Sequence, residues 1–307
     1  MTVLVTGGAG YIGSALVHVL ADRGHVIRVL DDFRASSPRN LVDAPPVDFV
    51  RGDIGDPTTV EAAMDGAERV IHLAAITGAA QSHGRRESVA AVNVAGTETV
   101  LEAAEAAGVD RVVFASSCNV YGETNAEHLV ETDEPAPRNP YAESKLAGER
   151  RCRDATVDCV ALRLATNFGW SPGIRFNLVV NGFVFRALAG EPLTVYGDGT
   201  NWRPFIHVRD AARALVDAVD WTPGTYNVGH ENVRIDAIAA AVDRAVDRAV
   251  EIDYLRDRDP GPSYHVDFAN ASAQGLETEI ALDAGIDELV ARFGRFAAGP
   301  ENRVIGR

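Results

Sequence analysis

The feature that most constrains the fold is a glycine-rich turn between an apolar strand and an amphipathic helix. Residues Thr2 to Thr6 form a short apolar run, and Tyr11 to Asp22 carry apolar side chains at helical spacing. The alternation continues, with further strands expected at 26–30, 48–50, 69–74, 111–115 and 159–164 and helices at 57–64, 86–107 and 141–155. Strands that alternate with helices predict an α/β fold with a doubly wound parallel sheet.

Beyond Leu164 the alternation becomes irregular. Segments rich in Gly, Pro and Trp are interspersed with expected helices at 178–189, 208–218, 234–246 and 287–296. We therefore expect residues 1–165 to form a nucleotide-binding domain, with returns near 205–232. Residues 166–204 and 233–307 are expected to form a smaller, interleaved C-terminal substrate lobe.

The glycine-rich turn has the residues that a dinucleotide pyrophosphate requires. Gly7 permits a tight turn, Gly10 lets backbone N–H groups approach the anion, and Gly13 allows the helix to pack on the strand. The N-terminus of the helix, at Tyr11 and Ile12, attracts negative charge. The pattern predicts a dinucleotide cofactor, and the alternative is a turn that needs a positive φ and binds nothing.

Two carboxylates, Asp31 and Asp32, follow the second predicted strand. A carboxylate there can accept hydrogen bonds from the adenosine ribose hydroxyls and would repel a 2′-phosphate, which favours NAD over NADP. Two alternatives stay open at this point. The carboxylates could simply face water, and Arg34 just beyond them could accommodate the phosphate of NADP.

Tyr141 and Lys145 begin a predicted helix just after Pro140, at a spacing that puts both side chains on one face. A phenol with a pKa near 10 is a poor base at neutral pH unless a cation stabilises the phenolate. At about 4 Å and an effective dielectric constant of about 20, the attraction is on the order of 4 kcal/mol. We therefore expect Lys145, the only lysine of the chain, to lower the pKa of Tyr141. The alternative is an exposed helix start with an incidental lysine.

Ser116 and Ser117 lie at the carboxyl end of the fifth predicted strand. This is the edge at which ligands bind in open α/β sheets. A hydroxyl at this edge can hydrogen-bond a substrate oxygen beside Tyr141. The sequence thus predicts a hydroxyl, a phenol and an ammonium that act on one substrate group.

Composition limits the partners that this chain can have. The 307 residues carry a formal net charge of −15 and no basic stripe, which argues against nucleic acid. No apolar stretch is long enough to span a membrane, and no basic leader precedes the first strand. Cys118, Cys152 and Cys159 lack metal-ligand spacing, so we expect no metal site and a reducing cytoplasm. The scarcity of lysine fits either arginine-rich codon usage or adaptation to high salt.

Six motifs, in order, carry a resemblance to a known family. They are GGAGYIG at 7–13, RGDI at 51–54, HLAA at 72–75, SSCNVYG at 116–122, NPYAESK at 139–145 and VYGDGTNWRPFIHVRD at 195–210. The set resembles that of the extended short-chain dehydrogenase/reductases, specifically the NAD-dependent epimerase/dehydratase group that acts on nucleotide sugars. The resemblance covers nearly the whole chain. It implies a Rossmann sheet, NAD as the cofactor and a nucleotide sugar as the substrate.

The resemblance also implies roles for single residues. Tyr141 matches the general acid/base, and Lys145 matches the partner that lowers its pKa and binds the nicotinamide ribose. Ser117 matches the catalytic hydroxyl, with Ser116 as the alternative. Cofactor contacts are implied at Asp53, Ile54, Leu73, Ala74 and Ala75. Asn93 matches a helix position beside the cofactor site, and a buried structural role fits it equally well.

Three arginines are candidates for binding the substrate. Arg203 matches an arginine that the family aims at the diphosphate of the nucleotide sugar. Arg175 and Arg258 are further natural counter-charges in an acidic protein. For each of the three arginines, the alternative role is a salt bridge at the protein surface.

The chain departs from parts of the family pattern. Cys118 and Asn119 stand where the sugar 4,6-dehydratases have an Asp and a Glu, and neither is a good acid or base at neutral pH. Dehydration is therefore disfavoured. These two residues also leave the chain without the glutamate that the decarboxylases use. Pro204 interrupts the common RDF motif, and Thr166 stands where many epimerases have Asn.

The resemblance and these departures favour a nucleotide-sugar epimerase similar to the UDP-glucose 4-epimerases, which act through a transient 4-keto sugar. The first alternative is a net NAD-dependent sugar dehydrogenase or 4-ketoreductase, which shares the same side chains. The second is a regulator that binds NAD without chemistry. A homodimer is implied by family resemblance, with the predicted helices 86–107 and 141–155 paired across a twofold axis.

Overall fold

The computed structural model describes residues 1–122 and 128–294 and has a seven-stranded parallel sheet at its centre. The strands in chain order are β1 (Thr2–Thr6), β2 (Val26–Asp31), β3 (Asp48–Arg51), β4 (Arg69–His72), β5 (Arg111–Ser117), β6 (Cys159–Leu164), β7 (Thr166–Phe168), β8 (Leu193–Tyr196), β9 (Trp202–His207), β10 (Gly224–Val228), β11 (Glu231–Arg234) and β12 (Ile252–Leu255). The sheet has the order β10-β6-β5-β4-β1-β2-β3. The predicted doubly wound α/β fold is confirmed.

Helices cover both faces of this sheet. The helices of the described residues are α1 (Tyr11–Asp22), α2 (Pro57–Met64), α3 (Ala79–Ser82), α4 (Arg86–Val89), α5 (Gly96–Ala107), α6 (Pro140–Asp154), α7 (Val179–Ala189), α8 (Val208–Asp217), α9 (Ile235–Ala245), α10 (Ala269–Ala273) and α11 (Leu282–Phe293). Alternate β1 side chains point to opposite faces: Val3 and Val5 pack with α1 and α8, whereas Leu4 packs with α2 and α5. Both faces of the sheet are therefore buried, as parallel strands require.

A smaller layer lies beside the carboxyl edge of the sheet. It contains a three-stranded sheet, β11-β9-β7, and a two-stranded sheet, β12-β8. Helices α7, α9 and α11 enclose a separate apolar core of which Phe183, Ile238 and Ile286 are members. Strand β10 returns to the main sheet, where it pairs with β6. The division into 1–165, with returns near 205–232, and a lobe of 166–204 and 233–307 remains a prediction.

Several elements differ from the sequence-based expectation. Strand β4 ends at His72 rather than at residue 74, because its partner β1 ends at Thr6, opposite His72. The helix expected over 86–107 contains a π-helical segment at Ala90–Ala95 between α4 and α5. Helix α11 begins at Leu282, earlier than expected, because Leu282 is already buried in the lobe. The expected end of that helix at residue 296 lies outside the described residues. Helix α10 was not anticipated.

Residues 1–122 and 128–294 contain no helix that combines the length and the apolar composition needed to cross a bilayer. The same part of the chain contains no cluster of three or more His, Cys, Asp or Glu side chains that could hold a metal ion.

Candidate active site

The glycine turn between β1 and α1 is shaped for close approach of a ligand. Gly7 has φ +72°, a conformation that L side chains rarely adopt. A Cβ atom on Gly13 would lie 2.3 Å from the Gly7 carbonyl oxygen, so only glycine fits there. Helix α1 has no side-chain cap at Gly10 and no acidic residue in its first turn. Its N-terminus is therefore suited to a pyrophosphate, and these residues fit a dinucleotide.

Asp31, at the end of β2, is buried and supports this turn. Its carboxylate accepts hydrogen bonds from the backbone N–H of Ala9 at 3.0 Å, from that of Phe33 at 2.9 Å and from the Ser36 hydroxyl at 2.7 Å. A carboxylate has about four acceptor positions, so one is left for a ribose hydroxyl. The alternative that Asp31 merely faces water is wrong, because the side chain is buried and ordered by three donors.

Arg34 is held between two carboxylates. Its guanidinium lies 3.2 Å from Asp32 Oδ2 and 2.7 Å from Asp53 Oδ2. The positive charge that would have to attract the 2′-phosphate of NADP is thus already compensated. The side chain of Ile54 is buried in the apolar core against Gly96, so a contact of Ile54 with adenine would have to come from its backbone.

The segment after β4 lies against the glycine turn. The backbone N–H of Leu73 donates to the Thr6 carbonyl at 3.1 Å, and that of Ala74 donates to the Thr6 hydroxyl at 3.2 Å. A Cβ atom on Gly7 would lie 2.8 Å from the Ala74 nitrogen. Together with the half-buried Ala75, these residues form the opposite wall of the cofactor cleft.

Asn93 lies in the π-helical segment and connects two parts of the site. Its Oδ1 accepts from the Ile76 N–H at 2.7 Å, and its Nδ2 donates to the Ser144 hydroxyl at 2.9 Å. Both ends of the buried amide are thus used by the protein. The contacts favour the structural alternative for Asn93, which ties the loop after β4 to helix α6.

Helix α6 and strand β5 bring the phenol, the hydroxyl and the ammonium together. Asn139 caps α6 by accepting from the Ala142 N–H at 2.9 Å, which fixes where the helix begins. Ser117 is the last residue of β5, and its hydroxyl hydrogen-bonds the phenol of the half-buried Tyr141. Lys145 is buried, with Nζ 4.9 Å from the ring centroid of Phe114 and 5.9 Å from that of Tyr141.

The electrostatics of Tyr141 differ from the sequence-based expectation. Burial raises the pKa of Tyr141 above its ordinary value, since a buried phenolate loses its hydration. The groups that oppose this increase are the Ser117 hydroxyl and the Arg175 guanidinium. The expectation that Lys145 lowers the pKa of Tyr141 is therefore wrong for this structure. Its ammonium lies over aromatic faces, and burial lowers the pKa of Lys145 itself to about 8.

The three candidate arginines lie in different surroundings. Arg175 is half-buried beside Tyr141, and its Nη1 donates to the Thr77 hydroxyl at 2.5 Å. The guanidinium of Arg203 lies 5.4 Å from the ring centroid of Tyr264, also in a half-buried position. Arg258 is exposed. The sequence did not indicate that Arg175 would adjoin the phenol, because a loop that is remote along the chain brings it there.

Comparisons with known proteins agree with this architecture. Residues 3–229 match the model of the NAD dependent epimerase/dehydratase family. The chain belongs to this family. It is 35% identical to the low-salt glycan biosynthesis protein Agl12 of Haloferax volcanii, over 94% of this chain and 97% of that protein. It is 30% identical to a putative UDP-glucose 4-epimerase of Methanocaldococcus jannaschii, with the same coverage of each chain.

Comparison with solved structures also finds proteins of this kind. The UDP-glucose 4-epimerase of Thermus thermophilus, crystallised with NAD, superimposes with a TM-score of 0.85 and is 31% identical. The match covers 97% of this chain and all of that one. The protein is thus an enzyme of an NAD-dependent family, and the expectation of NAD as cofactor is confirmed.

Family membership leaves the reaction open, and the residues after Ser117 narrow it. Ser116 donates its hydroxyl proton to Glu149, so Ser117 is the serine that adjoins Tyr141. Cys118 is buried, donates to the Arg163 carbonyl, and has a pKa raised by that burial. The Asn119 amide donates to Ser117 Oγ. Neither side chain can supply the acid/base pair of a dehydratase.

Proposed function

We propose that this enzyme is an NAD-dependent 4-epimerase of a nucleoside-diphosphate sugar. One observation carries the proposal: Tyr141 and Ser117 meet at the carboxyl edge of the sheet, while the two positions after Ser117 hold a buried thiol and an amide. A site of this kind can remove and return one hydroxyl proton. It has no second acid/base pair to continue to dehydration.

Each side chain of the site has its own role in the proposed reaction. Ser117 holds the oxygen of the sugar hydroxyl, and Tyr141 takes its proton as the alcohol becomes a ketone. When bound, NAD would supply the hydride acceptor for the sugar carbon, and return of the hydride to the opposite face of the keto sugar would invert that carbon. Tyr141 gives the proton back to the oxygen. The Lys145 ammonium would bind the nicotinamide ribose hydroxyls.

Residues of both layers would hold the cofactor and the substrate. The α1 N-terminus would hold the pyrophosphate, and the Asp31 carboxylate would accept hydrogen bonds from the adenosine ribose. Arg203 would bind the substrate diphosphate, with Arg175 closer to the reacting hydroxyl and the exposed Arg258 at the rim. The remaining proposed cofactor contacts are Gly7, Gly10, Tyr11, Ile12, Gly13, Asp32, Asp53, Ile54, Leu73, Ala74 and Ala75.

The stoichiometry of NADH tests the reaction class. With UDP-, dTDP- and GDP-sugars, we expect one of them to be converted into a mixture of C4 epimers while NADH, followed by absorbance, does not accumulate. The reason is that the hydride returns to the same substrate molecule. NADH formed in proportion to product would instead identify a net dehydrogenase and would contradict the proposal.

The carboxylates around Arg34 offer a test of cofactor choice. We expect Asp32→Ala to lower the NADP-to-NAD ratio of dissociation constants about tenfold, equivalent to about 1.4 kcal/mol, because Arg34 loses one of its two counter-charges. Asp48→Ala is a matched control, since Asp48 is exposed and pairs with Arg28 at 2.6 Å instead. Titration of both variants with both cofactors checks the result. An unchanged ratio for Asp32→Ala would refute this role of the acidic pair.

We also propose a homodimer in the cytoplasm. Helix α6 and the helical segment that begins at α4 present a shared groove, lined by Val89, Val94 and Ala147 among others, where a second copy could pack. Cys118, Cys152 and Cys159 are all free and buried, which suits a reducing compartment. Light scattering of the purified protein measures the oligomeric state, and a monomer would overturn the dimer.

A further inference from the structure

A buried ion pair lies next to the proposed catalytic side chains. Glu149 on α6 and Arg163 on β6 have side chains that are 0% and 5% exposed. The Arg163 Nη2 donates to Glu149 Oε2 at 2.8 Å, and its Nε donates to Oε1 at 3.0 Å. The contact is bidentate, so the carboxylate is held in one orientation.

Glu149 touches both elements that carry the reactive groups. Its Oε1 accepts the hydroxyl proton of Ser116 at 2.5 Å, and Ser116 is the neighbour of Ser117 at the end of β5. On α6, Glu149 follows Lys145 by one turn and Tyr141 by two turns, on the same face. One carboxylate thus connects the strand end to the catalytic helix.

The arginine is held in turn by a second set of contacts. Its Nη1 donates to the Tyr121 hydroxyl at 3.0 Å, and its guanidinium lies 4.8 Å from the centroid of that ring. Tyr121 donates to Asn227 Oδ1 at 2.7 Å, and the Asn227 N–H donates to Glu131 Oε1 at 2.7 Å. The ion pair thus belongs to a hydrogen-bond network that joins strands β6 and β10, which supports the orientation of the carboxylate.

Glu149 also acts on the charge of Lys145. The titratable groups that face this ammonium are His72 from β4 and Tyr141, Glu149 and Cys152 from its own helix. His72 is neutral, with a pKa lowered to about 3. Burial lowers the pKa of Lys145, and Cys152 and Glu149 are the neighbours that oppose this. Because a hydrogen bond with Cys159 and burial raise the pKa of the Cys152 thiol well above its ordinary value, that thiol stays protonated, and Glu149 is the neighbour of the two that carries a negative charge.

We propose that Glu149, held by Arg163, is a positioning residue of this active site, which aligns Ser117 through Ser116 and keeps Lys145 charged one helical turn away. The proposal rests on the function assigned above to Ser117 and Lys145. It goes beyond that function by assigning the orientation and charge of these two side chains to a buried pair outside the substrate cleft.

The single lysine of the chain allows a direct test. Protein grown with ¹³C-labelled lysine gives one side-chain signal, whose pH titration reports the ionisation of Lys145 without substrate. We expect a midpoint near 8 in the wild-type protein. In Glu149→Gln we expect the midpoint to fall by about one pH unit and kcat to fall about tenfold, because the amide keeps the shape but not the charge.

Asp210→Asn is the matched control. Asp210 is also fully buried and paired with an arginine, Arg213, but the groups that set the Lys145 pKa do not include it. We expect this variant to lose thermal stability while the Lys145 midpoint stays at the wild-type value.

Each outcome decides the proposal. An unchanged midpoint in Glu149→Gln overturns it, and so does a lowered midpoint with wild-type kcat. A lowered midpoint with reduced kcat supports it. Absence of epimerase activity in the wild-type protein would refute the proposed function instead, and the titration would still show whether Glu149 sets the charge of Lys145.

Discussion

We expect Tyr141→Phe to lower kcat by about three orders of magnitude, within the range of about 10²- to 10⁴-fold that a positioned acid/base contributes. The substitution removes only the phenol oxygen, which the Ser117 hydroxyl contacts. The ring would keep its packing beside Lys145. NAD affinity should therefore stay within a few-fold of wild type, measured by fluorescence titration, while turnover is followed by product analysis.

Tyr196→Phe is the matched control for this variant. Tyr196 is 55% exposed at the end of β8, so loss of its hydroxyl should leave both kcat and NAD binding unchanged. Turnover by Tyr141→Phe at the wild-type rate would show that another group moves the proton. Loss of NAD binding would show that the phenol serves the cofactor rather than the chemistry.

The second large effect is expected for Gly13→Ala. The added Cβ atom would lie 2.3 Å from the Gly7 carbonyl oxygen and 2.6 Å from the Gly8 Cα, both of them backbone atoms that cannot rotate away. The turn must therefore shift, at a cost of about 1–3 kcal/mol of stability. We expect a lower Tm and at least a tenfold weaker NAD affinity, since the displaced turn no longer presents its N–H groups to the pyrophosphate.

Gly84→Ala separates this effect from a general intolerance of glycine replacement. A Cβ atom on Gly84 would meet nothing within 4 Å, and the residue does not have a positive φ. Its Tm and NAD affinity should match the wild-type values. Wild-type NAD affinity in Gly13→Ala would remove the steric basis for placing the cofactor at this turn.

Local patterns were sufficient to predict much of the fold. The bounds of β1, α1, α2 and β6 agree with the sequence-based expectation, and glycines, a cap or a proline mark the ends of the first three. Helix α2, for example, begins at Pro57 after the capping carboxylate of Asp56. The start of α11 at Leu282 was missed, since its buried stripe is recognisable only once the lobe core is known.

The electrostatics of the site could not be predicted from spacing. The i, i+4 pattern correctly placed Tyr141 and Lys145 on one helix, but the pKa of the phenol depends on desolvation, on the Ser117 hydroxyl and on Arg175, all of them tertiary properties. The same holds for the contact between Arg34 and Asp53, which lie on different loops. By contrast, the position of Glu149 one turn after Lys145 is visible in the sequence and could have marked it as a candidate.

The central claim is that this site takes the proton of a sugar hydroxyl while a hydride leaves the same carbon. The hydride then returns to the opposite face of that carbon, and the proton returns to the oxygen. Deuterium tracing tests it most directly: a nucleotide sugar from the UDP, dTDP and GDP panel, deuterated at C4, is converted and its product examined by mass spectrometry and NMR. We predict a C4 epimer that retains the deuterium while no NADH accumulates. An epimer without deuterium, deuterium collected in accumulating NADH, or no epimer from any sugar of the panel would contradict the claim.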